Sequence, residues 1–232
     1  LKKKKMKYYY KQIKVLGLAL ALAFTSCIKD LDQDPTIDPD SINQKSVEQD
    51  PSKTISVLAK VYGSLALTGQ KGPTDAPDIS GIDEGFSSFS RLLYYMQELP
   101  TDNALVRWTD PGVPDFHNLN WDADNRIIEG MYYRLAQTVS YANSFIENNQ
   151  GSSDENVKVY IAEARFIRAF SYYYLMDLFG DAPIVTEVKS SLTTTDRSSR
   201  KQVFEFIERE LKDIENTLKA PRTNEYGRVD KA

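Results

Sequence analysis

Asn156–Pro183, NVKVYIAEARFIRAFSYYYLMDLFGDAP, is the stretch whose reading decides the fold. It reads as one long helix with a marked start and stop. Ser152 and Glu155 have the spacing of a capping box, and Gly180 and Pro183 close the far end. The interior is apolar on more than one face. Val159, Phe166, Phe170 and Tyr173 form one stripe; Tyr160, Ala164, Ile167, Tyr174 and Leu178 form another. A helix apolar over so much of its circumference is packed on several sides. Ala162, Ala164 and Ala169 let neighbouring backbones approach. Arg165 and Arg168 have no carboxylate at their own i±4 positions, so their partners are expected on other helices.

The same residues carry a resemblance. Glu163-Ala-Arg165-Phe-Ile-Arg168-Ala-Phe170, Tyr173-Tyr174-Leu175 and Leu178-Phe179-Gly180-Asp181-Ala-Pro183 resemble the signature helix and turn of the SusD/RagB family. That family consists of lipid-anchored, nutrient-binding outer-membrane proteins of Gram-negative bacteria. The resemblance implies an all-α fold of tetratricopeptide-like helix pairs with a long irregular loop insertion. It also implies a non-catalytic function: binding a nutrient glycan at the cell surface and passing it to a TonB-dependent, SusC-like transporter. Peptide capture, as in the RagB branch, is the alternative within the family. A helical-repeat adaptor without a small ligand is the alternative outside it.

Composition agrees with a globular chain: 41% hydrophobic and 27% charged over 232 residues. The single cysteine, Cys27, excludes an intrachain disulfide and a cysteine-based zinc site. Seven lysines and no acids precede Cys27, so the remainder is strongly acidic. Such a body lacks the basic patches of a nucleic-acid binder.

The first 26 residues read as an export signal. Lys2 to Lys14 is basic, Val15 to Phe24 (VLGLALALAF) is a short apolar core, and Thr25-Ser26-Cys27 follows. The apolar run is too short to span a bilayer. Thr-Ser-Cys resembles a lipobox, with Phe24 where leucine is usual, which makes Cys27 the expected lipidation site and membrane anchor. Met6 is a candidate start. Residues 27–49 are acidic and polar and read as a tether. Asp30, Asp32 and Asp34 suggest calcium only superficially, because Pro35 and Ser41 stand where an EF-hand loop needs Gly and Glu. Cys27-Ile-Lys-Asp-Leu-Asp resembles the start of mature SusD-type proteins.

Residues 50–232 read as the helical domain. Asp50-Pro51 starts a helix with apolar positions Ile55, Leu58, Ala59, Tyr62, Leu65 and Ala66, ended by Gly69. Gln70 to Asp124 is rich in turn residues and reads as a long irregular loop with one short helix, Ser88–Gln97. Asn125–Asn148 is the next helix, with a buried stripe of Ile127, Ile128, Met131, Leu135, Thr138, Val139, Ala142 and Ile146. After the signature helix and a polar loop, Lys189–Ser198, Ser199 and Gln202 form a second capping box. They start a last helix with Val203, Phe204, Ile207, Leu211, Ile214 and Leu218 inward. No clean repeat occurs at the tetratricopeptide period. The resemblance covers only the first half of the family pattern, so the chain is expected to be the N-terminal part of a longer protein.

Both tryptophans and the only histidine fall within Arg107-Trp108-Thr109-Asp110 and Asp115-Phe116-His117-Asn118-Leu119-Asn120-Trp121. Sugars have apolar C–H faces and polar rims, so their sites want flat aromatic platforms flanked by paired hydrogen-bonding groups. Arg107, Trp108, Asp115, Asn118 and Trp121 are the ligand-binding candidates, with Asp110 and Asn120 at the rim. Structural roles compete for each. Trp121 directly precedes a helix and reads first as a packing anchor; Trp108 stays open between packing and ligand contact. His117 has no clustered partners for a metal and reads as a structural or rim residue. The Tyr172–Tyr174 run reads as core. There is no Gly-x-Ser-x-Gly, phosphate-binding glycine loop or His-Glu-x-x-His, and no acid pair stands out as a glycosidase dyad. The chain is therefore read as a binding protein without cofactor or metal.

Overall fold

A computed structural model describes residues 51–69, 77–188 and 195–231. Among them are six α-helices: α1 (Thr54–Ala66), α2 (Phe89–Gln97), α3 (Val113–His117), α4 (Arg126–Asn149), α5 (Glu155–Phe179) and α6 (Arg200–Ile214). No strand occurs among these residues, only an antiparallel bridge between Ala182 and Ser198. The export segment, Cys27, the tether, Asp50 and most of the 189–198 loop lie outside the described residues.

Asp154, rather than Ser152, starts the central helix α5. Its backbone is extended and its carboxylate accepts the Asn156 N–H at 2.8 Å, while Ser152 Oγ accepts the Asp154 N–H two residues too early. An aspartate suits this position because it satisfies an orphan N–H and opposes the helix dipole. At the other end Gly180 takes φ +79° and its N–H reaches Met176 O at 3.1 Å. A side chain there would be strained, which explains the glycine. The second expected cap is present as read: Ser199 accepts the Gln202 N–H, and the Gln202 amide oxygen accepts the Ser199 N–H at 2.8 Å.

α5 is the axis of the packing. α4 runs antiparallel to it, with Tyr132 against Phe179 at one end and Asn143 bonded to Arg168 further along. α6 also runs antiparallel, with Tyr172 edge-on to Phe206 and Ala162 against Ile214. α1 lies across α4 and α5, where Leu58 and Val61 meet Ala142, Phe145, Ala164 and Ile167. Ala162, Ala164 and Ala169 are each almost fully buried, as close helix approach requires. α2 and α3 cover the remaining side through Leu92, Tyr95, Val113 and Phe116.

Three expected details are corrected. On α5 Tyr172 is buried and Tyr173 is exposed, because the Tyr172 hydroxyl accepts the Val185 N–H at 2.7 Å and holds the post-helix segment. On α6 Phe206 is inward, while Phe204 and Leu211 face outward. α1 is preceded by a 3-10 turn at Pro51–Lys53 and ends at Ala66, before Gly69; its buried residues are Thr54, Leu58, Val61 and Ser64, with Ala59 and Ala66 outside.

Buried charges tie the layers together. Arg168 and Arg165 both donate to Glu210 of α6, at 2.5 and 2.7 Å, as their lack of intrahelical partners implied. Glu163 of α5 is fully buried. It accepts from Tyr62 of α1 at 2.6 Å and from Arg228 and Asn224 at 2.6 and 3.1 Å. Arg134 of α4, also fully buried, bonds Asp78, Ser64 O and Ser87 O. Each buried charge is thus paired and hydrogen-bonded, as burial demands.

Candidate functional site

The tryptophan-bearing segment is more regular than its turn residues suggest. Residues 113–117 form the short helix α3, preceded by Gly112 at φ +89°. A Cβ on Gly112 would lie 3.0 Å from the Asn125 amide, so both the backbone angle and the close approach require glycine. Asn125 explains the approach. Its Oδ1 accepts the Ile127 N–H at 2.9 Å to cap α4, while its Nδ2 donates to Gly112 O and Asp115 Oδ2 at 3.0 and 3.1 Å. One side chain therefore caps the helix and fastens the segment to it. Asn125→Ala is expected to cost about 1–2 kcal/mol in urea unfolding, since a cap and two tertiary bonds go together.

Each indole stands on its own support. Trp121 stacks on buried Phe116, with ring centroids 5.7 Å apart and planes 27° apart, yet stays 43% exposed. It packs on one face, as expected of an anchor, and leaves the other face accessible. Trp108 is 54% exposed and meets Phe86 edge-on at 6.5 Å. The Arg91 guanidinium lies 5.7 Å from the centroids of both rings and donates to Gly85 O, which fixes it beside the indole. Tyr95 is buried against Phe86, and burial raises its hydroxyl pKa.

The other candidates divide. Asp115 is committed to Asn125 and serves the scaffold. Arg107, His117, Asn118 and Asn120 are exposed, with the backbone of Asn118 and Asn120 tied to Pro114 O and Asp115 O. The structure brings Asp115 to Asn125 and Trp121 to Phe116, and gives Trp108 a separate base in Phe86 and Arg91. Arg91 and Phe86 were missed from sequence. They precede Trp108 by 17 and 22 residues, and only a helix-versus-loop contact reveals them. Among the described residues no group of three or more His, Cys, Asp or Glu is placed to hold a metal, and no helix is long and apolar enough to cross a membrane. The site offers open aromatic faces, one fixed guanidinium and rim amides, an inventory for binding neutral polar ligands.

A family model described as "starch-binding associating with outer membrane" (SusD-like) matches residues 94–225, which take in both tryptophans and α3 to α6. The chain belongs to the SusD-like family. Starch-binding protein SusD of Bacteroides thetaiotaomicron is 35% identical over 97% of this chain. The chain spans about two-fifths of that relative's length (39%). Among solved structures, a SusD-like carbohydrate-binding protein from Bacteroides fragilis superposes with a TM-score of 0.56 at 22% identity, over 78% of this chain and 34% of its own. A structure solved with a xylogluco-oligosaccharide gives 0.60 at 19% identity, over 77% and 32%. The SusD-like architecture of tetratricopeptide-like helix pairs, expected from the signature helix, is therefore the observed one. Within it the signature's charged residues are scaffold: Glu163, Arg165 and Arg168 bind other helices and segments of the same chain and take no part in the tryptophan site.

Proposed function

We propose that this chain is the N-terminal part of a cell-surface lipoprotein that binds a nutrient glycan without chemistry and passes it to a TonB-dependent, SusC-like transporter. The observation that carries the reading is the 35% identity to a starch-binding protein along 97% of the chain. Trp108, braced by Phe86 and Arg91, supplies the principal stacking face, and Trp121 a second. Arg107 and Asn118 are hydrogen-bonding groups at the rim; Asp115 acts through Asn125. Stacking and a few exposed hydrogen bonds give binding weak enough to release the ligand. Cys27 carries the lipid that holds the protein on the outer membrane, with residues 27–49 as a spacer.

Calorimetry of the detergent-solubilised full chain against maltoheptaose, xyloglucan oligosaccharides and a peptide panel tests the reading. Glycan binding should appear, and Trp108→Ala should weaken it about tenfold, since a stacked ring is worth roughly 1 kcal/mol or more. Silence with every glycan, or heat with peptides alone, overturns it. The anchor is checked by the mass of the mature N-terminal peptide; unmodified Cys27 in an uncleaved chain rules it out. The hand-off requires a TonB-dependent channel to co-purify with the lipidated protein.

A further inference from the structure

An aromatic cavity lies at the start of α4. It holds about 550 Å³, and its lining includes Asp124, Arg126, Glu129, Tyr132, Tyr133 and Phe179. That volume falls within the usual range for small-ligand sites, about 300–1,000 Å³. None of its lining residues belongs to the Trp108 or Trp121 supports, although Ala123 and Asp124 follow Trp121 closely in the chain.

Its floor is rigid. Tyr132 is edge-on to Phe179, with centroids 5.4 Å apart, and Tyr133 is edge-on to Tyr132 at 6.3 Å. Phe179 is fixed at the end of α5, where Gly180 turns the chain. The outermost ring, Tyr133, is nevertheless 47% exposed, although the buried seam of α4 lies on another side. A large ring held in place and left open is a platform with no folding role to explain it.

The rim discriminates by charge. Arg126 pairs with Glu129 at 2.9 Å, and Asp124 adds a carboxylate. An anionic ligand would meet two carboxylates, and a cationic one would compete with Arg126 for them. Neutral hydroxyls suit both: the guanidinium donates and the carboxylates accept, without displacing the pair. We infer that this cavity is a second subsite for a neutral oligosaccharide, with a sugar ring stacked on Tyr133 and its hydroxyls shared between Arg126, Glu129 and Asp124. The inference rests on the glycan-binding reading above and adds a contact that this reading does not include.

The test is maltoheptaose carrying a photoreactive diazirine at its reducing end, irradiated with the full chain, followed by peptide mapping. Two labelled regions are expected, one around Trp108 and one spanning residues 123–133. Tyr133→Ala, at an exposed helical position where alanine should leave the circular dichroism spectrum unchanged, should reduce the second about fivefold and spare the first. Trp108→Ala should do the reverse. Labelling confined to the Trp108 region, or second-region labelling indifferent to Tyr133→Ala, overturns the subsite and leaves the first site standing. No labelling of either region overturns both.

Discussion

Arg134→Met should cost this fold about 3–5 kcal/mol, a large part of the roughly 5–15 kcal/mol that stabilises an ordinary domain. Arg134 is fully buried on α4, and its guanidinium reaches three separate segments. Nη1 and Nη2 grip Asp78 bidentately at 2.7 and 2.8 Å, Nε donates to Ser87 O at 2.8 Å, and Nη1 also donates to Ser64 O at 3.2 Å. Methionine fills much of the volume but leaves two carbonyl oxygens and a carboxylate without their donor, and the Asp78 side chain is only 20% exposed. The penalty comes from the buried acceptors that lose this donor rather than from the lost ion pair itself. Arg134→Lys should recover less than half, because one ammonium cannot reproduce the planar fork. Urea unfolding of the full chain measures both; a loss under about 1 kcal/mol for Arg134→Met refutes the assignment. A second effect should follow at the site. Ser87 lies four residues before Arg91, so loosening it should also weaken the brace behind Trp108 and with it glycan affinity.

Arg134 also shows where sequence reasoning stops. α4 was legible from its apolar period, a local signal; its Asn125 cap emerged only in the structure. That an arginine occupies the buried seam of the same helix was not legible either, because apart from Gln137 one turn on, its partners lie 47 to 70 residues away. The opposite case is Arg165 and Arg168. The absence of carboxylates one turn away on α5 pointed correctly to partners elsewhere, and Glu210 of α6 is that partner. On α5 the period itself misled. A helix packed on several sides is apolar nearly all round, so spacing could not choose between Tyr172 and Tyr173. The choice was made by a hydroxyl acceptor for the Val185 N–H, which no periodicity encodes. On α6, Phe204 and Phe206 both fit an apolar stripe, and only the edge-on contact with Tyr172 selects Phe206. The short helix α3 spans five residues, too few for a pattern to emerge above the surrounding turn signals. The site was legible as an inventory, two indoles in one segment. Its supports were not, since Phe86, in the turn before α2, and Arg91, on α2, reach Trp108 only through tertiary contacts.

Acid should loosen α6 through Glu210. Burial alone would raise this carboxyl's pKa, but hydrogen bonds and charge from Arg165 and Arg168 outweigh it and hold it below the ordinary carboxylate range. A folded-state value below the unfolded one means that the unfolded chain takes up the proton more readily. The stabilisation is therefore fully present above the ordinary value of about 4.3 and is lost as pH falls through the lowered folded value. Stability should be level on this account from pH 7 to about 5 and decline below that. Glu210→Gln should cost about 3 kcal/mol at pH 7, because the buried Arg168 guanidinium keeps its charge and loses the one carboxylate that pairs with it among the described residues. Arg165 is less affected, since Asp213 remains at 3.1 Å on the exposed side. The variant should also lose part of the acid decline, because the group that titrates is gone. Urea unfolding of both proteins at pH 7, 5 and 3.5 separates the two effects. A wild-type midpoint for Glu210→Gln at pH 7, or an acid decline of equal slope in both proteins, would show that another group fastens α6 to α5.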